Sequence, residues 1–292
     1  MVRRPPVSRA AARGAIAVLI TTLVWSTSLA PAPAAPARAA GGASRGAKAP
    51  VVVIVLENHE YGSIVDTSKA RYLKAFARGG TLFTHFHALH HPSLPNYLEM
   101  TSGSNSGCHS DGCAKARSKS SSVFSQLSHN GIKWASWMES MGSRCRMTSR
   151  SPYASWHNPA LYYRNIVPRI CRRRDVPYPR HLPRRLPRFV LAVPNLCHDM
   201  HSCSIAKGNK WLRHHVPPLL HHGAIVIITF DEGVTQVGGG GHIYTAMRGP
   251  GVPRHRRNAR AYSHRGLLAG IERHFRLKRL NGARRARPLP IP

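Results

Sequence analysis

Two short stretches of the chain are apolar at every position, Val51-Val52-Val53-Ile54-Val55-Leu56 and Ala224–Phe230 (AIVIITF). Both are rich in β-branched residues, too short for a helix, and lack the polar alternation of a half-exposed strand. They therefore predict interior strands of a parallel sheet covered on both faces. Thr81–His87 alternates like a strand. Further strands are expected over Ile132–Met138, over Phe189–Val193 (ended by Pro194), and over Ile243–Met247. Helical stretches fall between them. These are Ala70–Ala77, stopped by Gly79-Gly80; Ser122–Asn130, ended by Asn130-Gly131; part of Trp211–His222, despite Pro217-Pro218; and the amphipathic His264–Phe275. Strands alternating with helices predict an α/β fold with a mainly parallel sheet. With no internal repeat and no second core, one domain over residues 50–276 accounts for the pattern.

The ends of the chain read differently. Arg3, Arg4, Arg9 and Arg13 precede an apolar run from Ala15 to Ala30, and small residues close the segment at Ala37-Arg38-Ala39. This is the layout of a secretory signal peptide over residues 1–40, with cleavage near Ala39. The run is short for a membrane anchor, the other reading of such a segment. Pro5-Pro6 after Arg3-Arg4 fit a twin-arginine signal poorly. Residues 41–49 read as a Gly/Ala/Ser linker. Residues 144–188, rich in Arg, Pro and Tyr, are expected to form an irregular insertion or lid, and 277–292 a basic disordered tail.

Export alters the reading of the six cysteines, all downstream of the leader. An oxidising compartment favours disulfides. The simplest pairing is local, Cys108–Cys113, Cys145–Cys171 and Cys197–Cys203, because each pair brackets a loop. The spacings are irregular and contain no C-x-x-C, which argues against a zinc site. Lys and Arg number 43 against 11 Asp and Glu, a formal net charge of +32. Such a surface attracts anionic lipid, wall polymer or nucleic acid non-specifically; it specifies no nucleic-acid or protein partner. It does make each of the few acids worth following.

Both interior strands run into acids: VVVIVL into Glu57-Asn58, and AIVIITF into Asp231-Glu232-Gly233. Ligands of open parallel sheets bind at the carboxyl ends of the strands, so three carboxylates and an amide are expected at one edge. Like charges crowded there repel unless a cation lies between them, and oxygen donors suit a hard divalent ion. Single strand-end acids also commonly cap helices; two strands ending alike favour the metal. In His91-Pro92-Ser93-Leu94-Pro95-Asn96-Tyr97, Ser93 stands at an expected helix start, where the dipole favours an anion. Ser93 there is either a nucleophile or an N-cap, and the segment alone leaves both open. Asn195-Leu196-Cys197-His198-Asp199-Met200-His201 and Gly238–His242 complete the set of polar clusters. Among 19 histidines, His85, His87, His90, His129, His214, His215, His221 and His222 are read as ordinary surface residues.

In order, VVVIVLENHEYGSIV, HPSLPNYLEMTSG, PNLCHDMHSC, ITFDEG, GGGGHIYTAMRGPGV and YSHRGLLAGIERHF resemble a family of secreted bacterial phosphoesterases. That family contains phospholipases C and an acid phosphatase and belongs to the alkaline-phosphatase-like superfamily. The resemblance spans about residues 51–276 and implies a three-layer α/β/α sandwich with one divalent metal ion. It implies Glu57, Asn58, Ser93, Asp231 and Glu232 as ligands, with Ser93 also the nucleophile. Asp199 and His201 match an Asn-Asp-x-His stretch near the phosphoryl group, where His198 replaces the asparagine. His242 matches a histidine after a glycine run. Ser93 would attack phosphorus, His201 would protonate the leaving oxygen, and water would then hydrolyse the phosphoserine.

Three other readings remain beside a phosphate-ester hydrolase of acid-phosphatase type. A phospholipase C differs from it only in the room left for the leaving group. A non-enzymatic cationic binder of polyanions leaves the strand-end acids unexplained. Sulfatase chemistry needs a C/S-x-P-x-R context, and Ser93-Leu94-Pro95 is followed by Asn96-Tyr97.

Overall fold

A computed structural model describes residues 48–116 and 118–292; the expected leader (1–40) and residues 41–47 of the expected linker lie outside the described residues. In chain order the elements are β1 (Val51–Leu56), α1 (Tyr61–Val65), α2 (Arg71–Arg78), β2 (Thr81–Phe83), β3 (Phe86–His87), α3 (Ser93–Ser102) and α4 (Val123–His129). They continue as β4 (Trp134–Met138), α5 (Pro168–Arg174), β5 (Asp175–Pro177), β6 (Phe189–Val193), α6 (Ile205–His221) and β7 (Ile225–Phe230). The chain then forms β8 (Thr245–Arg248), β9 (Arg256–Asn258), β10 (Tyr262–Ser263) and α7 (His264–His274). Eight strands form one sheet in the order β5-β4-β6-β1-β7-β8-β2-β9, and β10 pairs with β3 in a separate ribbon. All neighbours in the large sheet are parallel except those of β8, which runs against both β7 and β2. The fold is thus α/β with a mixed, mainly parallel sheet.

Every residue of β1 and β7 is buried, as unbroken apolar strands require. Helix α3 touches both α4 and α7, and helix α2 touches both α1 and α6. Helix α3 is buried along all ten residues, including Ser93, Asn96 and Glu99. No helix among the described residues is long and apolar enough to cross a membrane.

Several expectations shift. The expected strand over Thr81–His87 breaks at Thr84-His85, so β2 joins the main sheet and β3 leaves it. Helix α6 begins six residues earlier than expected and runs through Pro217 and Pro218. Burial of Trp211, Leu212, Val216 and Leu219 outweighs the backbone bonds the prolines remove. Residues 144–188 are not without regular structure: they contain α5 and the edge strand β5, and Cys145–Cys171 ties the start of the segment to α5. The segment 277–292 is not a disordered tail. Ala283, Leu289 and Ile291 are buried, and the Leu289 N–H donates to Gly266 O at 2.9 Å. A Cβ at Gly270 would come within 2.6 Å of Leu289 O, so the glycine is what lets the tail lie against α7. The basic and proline-rich composition conceals these three small anchors. The disulfides are the three local pairs, Cys108–Cys113, Cys145–Cys171 and Cys197–Cys203.

Candidate active site

The register of β1 on β7 builds the centre of the site. Leu56 lies opposite Phe230, so Glu57 and Asp231 leave the sheet side by side, and the Asp231 N–H donates to Leu56 O at 2.9 Å. The Glu57 N–H donates to Asp199 O at 2.9 Å, which draws in the loop after β6. Ser93 opens α3, and its hydroxyl donates to Glu57 Oε2 at 3.0 Å and meets Glu232 Oε1 at 3.3 Å. One turn along α3, the Tyr97 hydroxyl donates to Glu57 Oε1. Two strand ends and one helix start therefore converge on a buried hydroxyl.

The carboxylates are poorly compensated. Burial, then the neighbouring Asp231 and Asp199, push the Glu57 carboxyl well above its ordinary range. Burial and Glu232 do the same to Asp231, and burial raises Asp199 to about 7. Burial also raises Glu232, against the lowering effect of His91. The Oδ2 atoms of both Asp231 and Asp199 are buried without a hydrogen-bond partner. Buried charges seek a partner or a cation, and these two oxygens have no hydrogen-bonding partner within the protein.

His157, from the insertion, completes this wall and was not singled out in the sequence. Its Nε2 lies 3.3 Å from Glu57 Oε1 and its Nδ1 3.4 Å from Asp199 Oδ2. Burial lowers its pKa to about 3, so the imidazole is neutral and these contacts are not ion pairs. One ligand atom each from Glu57, His157 and Asp199 lie within 4.8 Å of one another, close enough to hold one ion. Glu57 thus belongs both to this triad and to the oxygen set expected from the strand ends.

Three more residues shape the rim. His91 places Nδ1 2.6 Å from Glu232 Oε2 and Nε2 2.9 Å from Thr235 O. Asp111, in the loop closed by Cys108–Cys113, accepts the Leu94 N–H at 2.9 Å, next to the Ser93 hydroxyl. Glu60 anchors the glycine loop: Oε1 accepts from Val234 N, Thr235 N and Thr235 Oγ1, and Oε2 from His242 N. A Cβ at Gly233 would come within 2.2 Å of Glu60 Oε1, so only glycine admits the carboxylate there. Glu60 was in plain view in Glu57-Asn58-His59-Glu60. Nothing local distinguishes an acid that binds backbone from one that faces substrate.

The remaining expected residues divide. Asn58 turns the chain out of β1 with φ 57, and its backbone N–H faces Asp231 Oδ1 at 3.4 Å. Asp199 Oδ1 accepts the His201 N–H at 2.8 Å, and the exposed His201 ring lies 6.0 Å from that of His157. His198 is not brought to the Ser93 cluster. Its Nδ1 is 3.0 Å from Glu139, which also accepts from Trp211 Nε1, and these partners draw the ring away. Nor is His242: its Nε2 donates to Thr84 O at 3.0 Å and its ring stacks on Tyr61.

Residues 64–278 match the Phosphoesterase family. The chain belongs to that family. Among its relatives, a probable acid phosphatase of Kluyveromyces lactis is 26% identical over 78% of this chain and 58% of its own length. A phosphatidylinositol-3-phosphatase of Mycobacterium tuberculosis is 27% identical over 62% of each chain. The chain thus spans little more than half the length of the fungal phosphoesterase. Solved structures with the same fold include an alkaline phosphatase superfamily protein of Vibrio parahaemolyticus (TM-score 0.55, 11% identity, 84% of this chain and 71% of that one). The lipoteichoic acid synthase LtaP of Listeria monocytogenes is another (TM-score 0.57, 10% identity, 80% and 74%).

Proposed function

We propose that this phosphoesterase is an exported, metal-dependent hydrolase of phosphate esters, of acid-phosphatase type, that works through a phosphoserine at Ser93. The observation that carries the reading is the hydroxyl of Ser93, at a helix start, bonded to carboxylates from two adjacent strand ends. Glu57, Ser93, Asp231 and Glu232 would hold one divalent cation, with Asn58 next in the chain and with His157 and Asp199 beside Glu57. The bound ion would supply Lewis-acid neutralisation of phosphate oxygens and favour the ionised serine.

The chain's own groups perform the rest. The Ser93 proton passes to a carboxylate of the pair it already bonds, Glu57 or Glu232. Ser93 Oγ then forms a bond to phosphorus as the bond to the leaving oxygen breaks. The start of α3 directs its dipole at the developing anion. His201, exposed at the rim and held through its backbone by Asp199, protonates the leaving oxygen. Water, giving a proton to His201, then attacks phosphorus as the bond to Ser93 Oγ breaks. Ser93 Oγ recovers the proton held by the carboxylate, so that phosphate is released and every group is restored. The three disulfides agree with export to an oxidising compartment. The basic surface would add non-specific contact with anionic lipid or wall polymer.

The test compares p-nitrophenyl phosphate, its bis-ester and phosphatidylcholine vesicles, with wild type and Ser93→Ala. Turnover of the monoester, a labelled phosphoserine on acid quench, and a loss of more than about a thousandfold in Ser93→Ala are expected. Turnover of vesicles alone would replace the acid-phosphatase reading with a phospholipase C. No turnover of any ester would leave the polyanion binder.

A further inference from the structure

Three histidines outside the Ser93 cluster share one face. His85 immediately precedes β3 and His87 ends it, and their rings lie side by side. His242 lies opposite His87 in an antiparallel bridge. Ring centroids are 5.1 Å apart for His85 and His87, 5.1 Å for His87 and His242, and 6.0 Å for His85 and His242. Three imidazoles on one tetrahedral ion, with metal–nitrogen bonds of about 2.0 Å, put their centroids roughly 5 Å apart.

His242 is oriented as a ligand would be. Its Nε2–H is given to Thr84 O, which leaves the Nδ1 lone pair for a second partner. A backbone carbonyl on the far nitrogen is the usual support of a metal-binding imidazole. The Tyr61 ring, 4.6 Å away and tilted by only 10°, fixes the plane. Burial, with His242 and His85 nearby, lowers the His87 pKa from its ordinary value. The charged neighbours are Glu60, which raises His87 slightly, and Arg257, whose guanidinium reaches the Tyr61 hydroxyl at 3.4 Å. The four hydrogen bonds of Glu60 keep it out of the ligand set. Gly238 lets the glycine loop lie on His87, since a Cβ there would come within 2.7 Å of the His87 Cβ.

We propose that His85, His87 and His242 form a second metal site, selective for a borderline transition-metal ion such as Zn²⁺ or Cu²⁺ and distinct from the carboxylate cluster. Imidazole donors favour these ions over Mg²⁺ or Ca²⁺. Closing the trio on an ion requires the exposed His85 ring to turn inward, because one nitrogen from each histidine does not lie within 4.8 Å of the others.

Cu²⁺ titration of the full-length protein, read by electron paramagnetic resonance, tests this. One equivalent with nitrogen superhyperfine structure is expected, and His85→Gln/His87→Gln removes that signal and weakens Cu²⁺ binding at least about tenfold. The single variant His85→Gln, at an exposed position, weakens binding without threatening the fold, and phosphate-ester turnover is unchanged in both. An oxygen-only spectrum in wild type, or nitrogen coupling of equal strength in the double variant, overturns the proposal. Neither result depends on whether Ser93 is a nucleophile.

Discussion

Glu57 and Glu99 are both buried glutamates facing helix α3 or lying on it, and their surroundings could hardly differ more. Glu99 takes a two-pronged hydrogen bond from Arg265, at 2.8 and 2.7 Å, and a third contact from His90 at 3.2 Å. Those partners outweigh burial and hold its carboxyl down to about 2. Glu57 has two hydroxyl donors, no cationic side chain and two further acids beside it, and its carboxyl is driven upward. The first acid is satisfied by the fold and locks α7 to α3. The second is left wanting a positive charge, and its hydrogen-bonded neighbour is the serine. Incomplete compensation marks the acid available for chemistry.

Exchanging each acid for its amide makes the contrast measurable. Glu57→Gln is expected to lower kcat/KM by about a hundredfold or more while the metal-free protein melts no lower, because a repulsive charge has gone. Glu99→Gln is expected to keep activity within severalfold but to destabilise by about 2 kcal/mol, less than the roughly 3–5 kcal/mol of a fully buried pair because Arg265 is 40% exposed on its side chain. Kinetics beside thermal denaturation decide it; two variants that behave alike would end the distinction.

Cation binding sharpens it next. A divalent ion at a hundredfold excess over its Kd should stabilise wild type by about 2.7 kcal/mol. Asp231→Asn should lose most of that gain and Glu99→Gln none, as read by melting with and without chelator.

A third buried acid extends the comparison into the insertion. Asp175 accepts two contacts from Asn158, yet burial raises it to about 7. Because this carboxyl ionises less readily in the folded chain than in the unfolded one, its contribution is most favourable below about pH 4. It declines as pH rises toward 7 and is level above. Asp175→Asn should flatten that decline, an effect on the order of a few kcal/mol between pH 4 and pH 8 in denaturant titrations. An unchanged slope would mean that Asp175 is ionised in the fold.

The smallest effect is expected at Asp111, whose carboxylate takes the Leu94 N–H beside Ser93 and adds a negative charge at the start of α3. Asp111→Asn should lower KM for an anionic ester a fewfold with kcat little changed.

The strand ends and the serine at a helix start were legible because they are local. An unbroken apolar run specifies an interior strand, and the residue after it must emerge at the carboxyl edge. The local disulfide pairs were legible for the same reason. His157, Asp111 and the loop-anchoring role of Glu60 were not, since each acts across 17 to more than 100 residues of chain. The histidines at 85 and 87 looked ordinary because their partner, His242, lies 155 residues further on.

Composition and pattern alone therefore determined an α/β chain, two fully buried central strands, acids at both of their ends and a serine at a helix start. Tertiary structure decided which acids lack a counter-charge, which histidines are spoken for, and that the final sixteen residues pack. The reason is physical: a short-range pattern dictates backbone conformation and burial, whereas charge compensation depends on which distant side chains the fold places within a few ångströms.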